Sequence, residues 1–266
     1  MNNILKFRVR ILRQAAVCTA IACFASTHGF GASPDARKIM EDVYRQDTSR
    51  GTSMRANFEV FDKDGKHTRK EFTYRRIGSP GDSKILVVFT APEEIRGVAL
   101  LSINQRGVSD RQYIYVPATQ RVRAVVPQER SARFIGTDFT FEDITERVLD
   151  DFNYRLIGEA ETIEGHKTWK IEAIPSDPSR SQYKYIYYWV AQDVPVILHA
   201  EMYDAQGHEV RVLHASQIKR VSGITGARRT EMTSVQTGTK TILTIEDAKF
   251  NLAMDEKLFT PEELGK

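Results

Sequence analysis

The chain has 266 residues, 41% of them hydrophobic and 27% charged, with a formal net charge of +3 and two cysteines. Lys6, Arg8, Arg10 and Arg13 supply the whole basic excess, and without these four the formal charge is −1, so the composition argues against nucleic acid as a partner. Cys18 and Cys23 lie in the same leading segment, which leaves the rest of the chain without a thiol nucleophile or a disulfide framework.

The basic start is followed by an apolar run from Ala15 to Ala25 and by small residues around Gly29, Gly31 and Ala32. That order is the signature of a secretory signal peptide, and the run is shorter than the roughly 20 apolar residues a membrane-spanning helix needs. The sequence therefore predicts a signal peptide over 1–31, cut after Ala25, Gly31 or Ala32, and one domain over 32–266 in the periplasm. A competing reading makes Cys23 a lipid-bearing first residue, because Ala20-Ile21-Ala22-Cys23 resembles a lipobox that lacks the usual leading Leu.

A helix should open the domain. Ser33 can cap, Pro34 suits the first helical position and Asp35 suits the positive end of the dipole. Ala36, Ile39, Met40, Val43 and Tyr44 then form one apolar stripe. From Met54 onward the period changes to two: Met54, Ala56, Phe58 and Val60 share a face, as do Phe72 and Tyr74, Val98 and Leu100, Tyr113 and Tyr115, and Trp169 and Ile171. Turn chemistry separates the runs, at Asp62–Gly65, Ser79-Pro80-Gly81-Asp82, Glu164-Gly165, Asp204–Gly207 and Gly223–Gly226. Short alternating runs joined by tight turns predict a mainly β fold built on an antiparallel sheet. The alternation stops between about Gln128 and Asp150. There Thr140 with Asp143 reads as a helix start carrying a buried stripe of Phe141, Ile144 and Val148.

Catalytic chemistry finds no foothold. His208-Glu209 with His214 has the wrong spacing for a zinc protease, and the chain has no nucleophile elbow and no phosphate loop. His199, Glu201 and His214 would share a face if a hairpin paired Tyr203 with His208, although scattered strand histidines are usually surface residues. Arg111, Arg121, Arg123, Arg130 and Arg133 form a basic cluster suited to solvent, to an anionic headgroup or to an acidic partner. One strand is rich in rings: Tyr183, Tyr185, Tyr187 and Trp189 fall on one face, with Ile186, Tyr188 and Val190 on the other. Such a strand serves equally a filled core or the wall of a hydrophobic cavity.

Val87-Val88-Phe89-Thr90-Ala91-Pro92 followed by Arg96-Gly97-Val98-Ala99-Leu100-Leu101 resembles a signature of the outer-membrane lipoprotein-sorting protein family, a LolA/LolB-like branch. Tyr113 to Ala118 with Arg121-Val122-Arg123, the stretch Phe134 to Ile144, Trp189-Val190, Glu201 to Asp204 with Gly207, and Phe259 with Leu264 match further segments in the expected order. The resemblance implies a strongly curved, incomplete antiparallel barrel, with the N-terminal helix and the mid-chain helical segment covering a hydrophobic cavity. It also implies a non-enzymatic periplasmic carrier, without a cofactor or metal, for lipid or lipoprotein acyl chains. The alternative it leaves is an accessory subunit of an inner-membrane transporter of the resistance-nodulation-division type. Alternation, independently of the family, nominates cavity residues Phe58, Val60, Phe72, Tyr74, Leu100, Tyr113, Tyr115, Trp169, Ile171, Tyr185, Tyr187 and Trp189. The lid residues would be Ile39, Met40, Val43, Phe141, Ile144 and Val148. A slip of one residue in a strand would swap its faces.

Overall fold

The computed structural model describes residues 34–47, 49–108 and 110–266. The expected signal peptide, its cleavage sites, Cys23 and Ser33 lie outside the described residues. Among the described residues, thirteen antiparallel strands make a single curved sheet that does not close. The first six are β1 (Gly51–Phe61), β2 (His67–Ser79), β3 (Asp82–Ala91), β4 (Ala99–Ile103), β5 (Arg111–Val116) and β6 (Arg121–Ala124). They step outward from the middle of the sheet to one edge. The chain then passes to the other edge and returns through β7 (Phe152–Ile163), β8 (His166–Pro175), β9 (Tyr185–Ala191), β10 (Ile197–Tyr203), β11 (Glu209–Val221), β12 (Ile224–Ser234) and β13 (Thr239–Phe250). β13 pairs with β1, so two meanders meet at the centre and leave β6 and β7 as edges.

Local chemistry sets the turns. Ser79 pairs with Asp82 across Pro80-Gly81, and Gly81 takes a φ of +85° that a side chain would resist. In the sheet, Ala56, Phe58, Phe72, Phe89 and Leu100 bury their side chains on the concave face. Phe58 stacks on Phe72 at 4.7 Å between ring centroids, and Phe72 lies 5.7 Å from Phe89.

The helix predicted at the start of the domain is α1 (Ala36–Arg45). Asp35 is its cap, accepting from the Arg37 N–H at 2.9 Å, rather than a first-turn residue behind Ser33. Met40 is fully buried, and Ile39, Val43 and Tyr44 pack against the same concave core.

The stretch where alternation stops is the connection between the two sheet edges. It runs over the concave face and inserts Phe134, Phe139 and Phe141 among the sheet phenylalanines. The Phe134 ring lies 5.7 Å from Phe89, and Phe139 lies 5.5 Å from Phe58. Ile135 and Gly136 take φ of +47° and +71°, turning the chain sharply so that Phe134 and Phe139 both face inward; Lys70 Nζ donates to the Ile135 carbonyl at 2.9 Å. Asp138 ties the connection to the sheet. Its buried carboxylate accepts from Thr239, from Thr241 at 2.7 Å and from Arg133 at 3.0 Å.

Within this connection, Thr140 and Asp143 form the expected reciprocal cap of α2 (Phe141–Ile144). The helix ends after four residues because Thr145 is already extended, its hydroxyl donating to the Glu142 carbonyl at 2.7 Å. Val148 is therefore not on the stripe with Phe141 and Ile144, and Leu149 packs on the core instead. No helix among the described residues is long and apolar enough to cross a membrane.

Candidate functional site

The concave interior is apolar and only partly filled. A cavity of about 200 Å³ lies between β1–β3, β13 and the crossing segment, lined by Met54, Phe58, Phe72, Tyr74, Phe134, Phe139 and Leu243. A second, of about 320 Å³, lies over β9–β12 and is lined by Tyr188, Ala200, Met202, Leu213, Ala215 and Met232, with Gln46 and Arg147 at its polar side. Phe139 and Asp143 border both, so the crossing segment divides one hollow into two. Both spaces are open to solvent on one side, and each is many times the roughly 10–15 Å³ that a single water needs on this measure.

Of the residues nominated from alternation, Phe58, Phe72 and Tyr74 line the first cavity, while Val60, Leu100, Trp169 and Ile171 belong to the concave core around it. Burial raises the Tyr74 phenol pKa, which keeps this ring neutral in its apolar setting. Ile39, Met40, Val43, Phe141 and Ile144 cover the same core.

Five nominated residues face the other way. On β5, Ile114 points inward, and Tyr113 and Tyr115 lie on the convex face in a separate cluster with Leu101, Phe259 and Leu264. The C-terminal segment covers that patch, which is why its outward positions are aromatic rather than polar. On β9, Ile186, Tyr188 and Val190 take the interior, while Tyr185, Tyr187 and Trp189 form a convex aromatic group with Tyr203. Lys170 caps that group, its Nζ 4.0 Å from the Trp189 ring and 4.7 Å from Tyr187. Tyr183 departs from its expected face too: it precedes β9, is buried in the interior, and donates to Asp143 at 3.0 Å.

Phe134, Phe139, Tyr188, Met202 and Met232 also line the two spaces, outside the set that alternation nominates. Phe134 and Phe139 lie in the stretch Phe134 to Ile144 that carries part of the family resemblance.

The histidines do not gather a metal. β10 and β11 pair His199 with His214, but a bulge sets Tyr203 opposite Glu209 instead of His208. His214 contacts Glu164 at 3.1 Å and His199 stands 3.7 Å from Glu201, and among the described residues no three His, Cys, Asp or Glu side chains could hold an ion. Burial lowers the His199 pKa, so its ring is neutral at pH 7. Three arginines of the basic cluster are tied within the chain: Arg123 to Glu129, Arg130 to Asp110 and Arg133 to Asp138.

An open, curved antiparallel sheet with few helices is the LolA-like fold seen in several solved structures. An outer membrane lipoprotein-sorting protein domain from Vibrio parahaemolyticus superposes with a TM-score of 0.81 at 23% identity, covering 87% of this chain and 98% of that one. A DUF1329 family protein from Desulfovibrio piger gives 0.82 at 23% identity, covering 86% and 97%. A LolA superfamily protein from Nitrosomonas europaea gives 0.68 at 20%, covering 86% and 98%. No curated protein matches the sequence. A family model whose description reads "-like: Uncharacterized protein" matches residues 81–266, well over half the chain, and the chain belongs to that family.

Proposed function

We propose that this chain is a periplasmic carrier that holds the acyl chains of a lipid or lipoprotein in its concave interior, in outer-membrane lipoprotein sorting or lipid transport. The observation that carries the reading is the unfilled apolar space on both sides of Phe139. Each methylene moved from water into such space gains about 0.8 kcal/mol, so even half of a fatty chain supplies several kcal/mol. The likeness to a lipoprotein-sorting domain supports the same reading, as do the leader expected over 1–31 and the absence of catalytic motifs from the sequence. Under this reading α1 and α2 are the movable cover, with Ile39, Met40, Val43, Phe141 and Ile144 as its inner surface.

Native mass spectrometry of protein purified without detergent tests it. Peaks displaced by the mass of a lipid, removed by solvent extraction and restored by adding fatty acid, are the expected result. Spectra of bare protein at every stage would contradict the proposal.

A further inference from the structure

The polar side of the larger cavity holds a cation in an apolar setting. Arg147 stands just after α2, where its guanidinium borders three spaces: the 320 Å³ cavity, a cleft between α1 and the β2–β3 turn, and a groove beside Phe152. Its side chain is only 18% exposed, and its cationic carbon sits 5.5 Å from the Phe152 ring centroid and 5.7 Å from that of Tyr183.

A buried cation needs a partner. Asp143 is the nearest carboxylate, but Thr140 N–H (2.9 Å), Thr140 O–H (2.7 Å) and Tyr183 O–H (3.0 Å) already occupy it, leaving Arg147 a contact of 3.4 Å. Glu142 is committed to Ser181 and the Gln182 N–H. Around the guanidinium stand the phenols of Tyr44, Tyr154 and Tyr188, all buried at the hydroxyl, with Tyr44 close to both of the others. Burial raises the pKa of all three, so they are proton donors at any physiological pH. The guanidinium and the phenols thus gather donors in one place, where the long 3.4 Å contact with Asp143 is the only ion pair Arg147 makes among the described residues.

The cleft leading to this point is lined by Arg37, Arg45 and Arg106 beside Arg147, against Glu41 and Asp150. Arg37 is paired there with Asp150, Arg45 with Glu41 and Arg106 with Asp82, so ion pairs line the path up to Arg147.

Resting on the carrier reading, we propose that Arg147 with Tyr44, Tyr154 and Tyr188 is a headgroup subsite. It takes the single anionic group of a lipid, carboxylate or phosphate, whose tail runs past Met202 and Met232. The guanidinium fork matches either oxyanion, and charge-assisted bonds in a site this dry are among the strong ones.

The test is titration of lipid-stripped protein with dodecanoate, dodecyl phosphate and dodecanol, each below its micelle concentration. One tail with three headgroups separates the tail's contribution from that of the anion. At least one anionic ligand should bind roughly tenfold or more tighter than dodecanol, the worth of a charged hydrogen bond, and whichever one does so identifies the headgroup. Arg147→Gln should erase that preference, so that the three ligands bind alike. The paired change Tyr44→Phe with Tyr188→Phe keeps both rings, and should narrow the preference even if the arginine variant does not fold. Equal binding of all three ligands by the wild type, or a preference that survives these substitutions, overturns the subsite and leaves the carrier reading standing. Failure of the wild type to bind any of the three removes both.

Discussion

Replacing Ala200 by Leu distinguishes a hollow interior from a filled one by the sign of a stability change. Ala200 is buried on β10, opposite Tyr188 of β9 and Leu213 of β11, and it borders the 320 Å³ cavity. Leucine adds three carbons projecting from the sheet into that space. At about 0.8 kcal/mol per carbon they bring about 2.4 kcal/mol of transfer free energy, against roughly 0.5–1 kcal/mol of lost side-chain freedom. The expected net effect is a stabilisation of about 1–2 kcal/mol. In a close-packed core the same change would destabilise by about 1–3 kcal/mol. For a domain of this size each kcal/mol moves Tm by roughly 2–4 °C, so a rise of a few degrees is expected in place of a fall. Urea unfolding of lipid-stripped protein measures the difference, and dodecanol titration of the same sample should show weakened binding as the space is consumed. A destabilised Ala200→Leu protein that binds dodecanol like the wild type would refute the reasoning.

Three other substitutions probe the elements that shape the interior. Burial pushes the Glu146 carboxyl above its ordinary 4.5, despite the hydrogen bond from Ser83. The folded state therefore holds this proton more tightly than the unfolded chain, and the stability it contributes at low pH is lost as pH rises through 4.5 towards the folded value. Glu146→Gln should accordingly match the wild type near pH 4 and exceed it at pH 7 in urea midpoint; a difference independent of pH would contradict this. Asp138→Ala leaves Thr239, Thr241 and Arg133 without their acceptor and should lower unfolding free energy by about 2–3 kcal/mol, with an unchanged midpoint speaking against the clamp. Asp35→Ala removes the cap of α1 and should weaken it by about 1 kcal/mol; hydrogen exchange confined to 36–45 should quicken, while exchange in β1 and β13 stays as it was.

The two periods of the sequence carried most of the architecture, and they failed where both faces of a strand are apolar. In β1 and β2 the outward positions include Arg55, Glu59 and Glu71, so the inward set of Phe58, Phe72 and Tyr74 was readable from alternation. In β5 and β9 the outward positions are covered, by Phe259 and Leu264 in one case and by the Tyr203 and Lys170 group in the other. Alternation then says that the faces differ without saying which is inside, and Tyr113, Tyr115, Tyr185, Tyr187 and Trp189 were placed on the wrong side. The cap of α2 was legible because Thr140 and Asp143 are three residues apart. The extent of α2 was not, because Thr145 ends it through a single local hydrogen bond. Phe134 and Phe139 become lining residues only because the chain must cross from β6 to β7, a long-range fact of topology that no local pattern records. Space itself leaves no mark on a sequence: Met202 and Met232 would be the same residues around a filled core. Arg147 was invisible for a related reason, since a single arginine between two apolar segments reads as surface until its neighbours are placed.

The central claim is that the concave interior receives a fatty chain, and a crystal structure with a fatty acid brominated near its terminus tests it most directly. Anomalous scattering locates the halogen independently of how the protein is traced. The bromine should lie beside Met232 or Leu243, beneath Phe139, with the tail between the sheet and the crossing segment. Bromine found only on the convex aromatic group around Tyr187, with protein side chains closing the interior, would contradict the account.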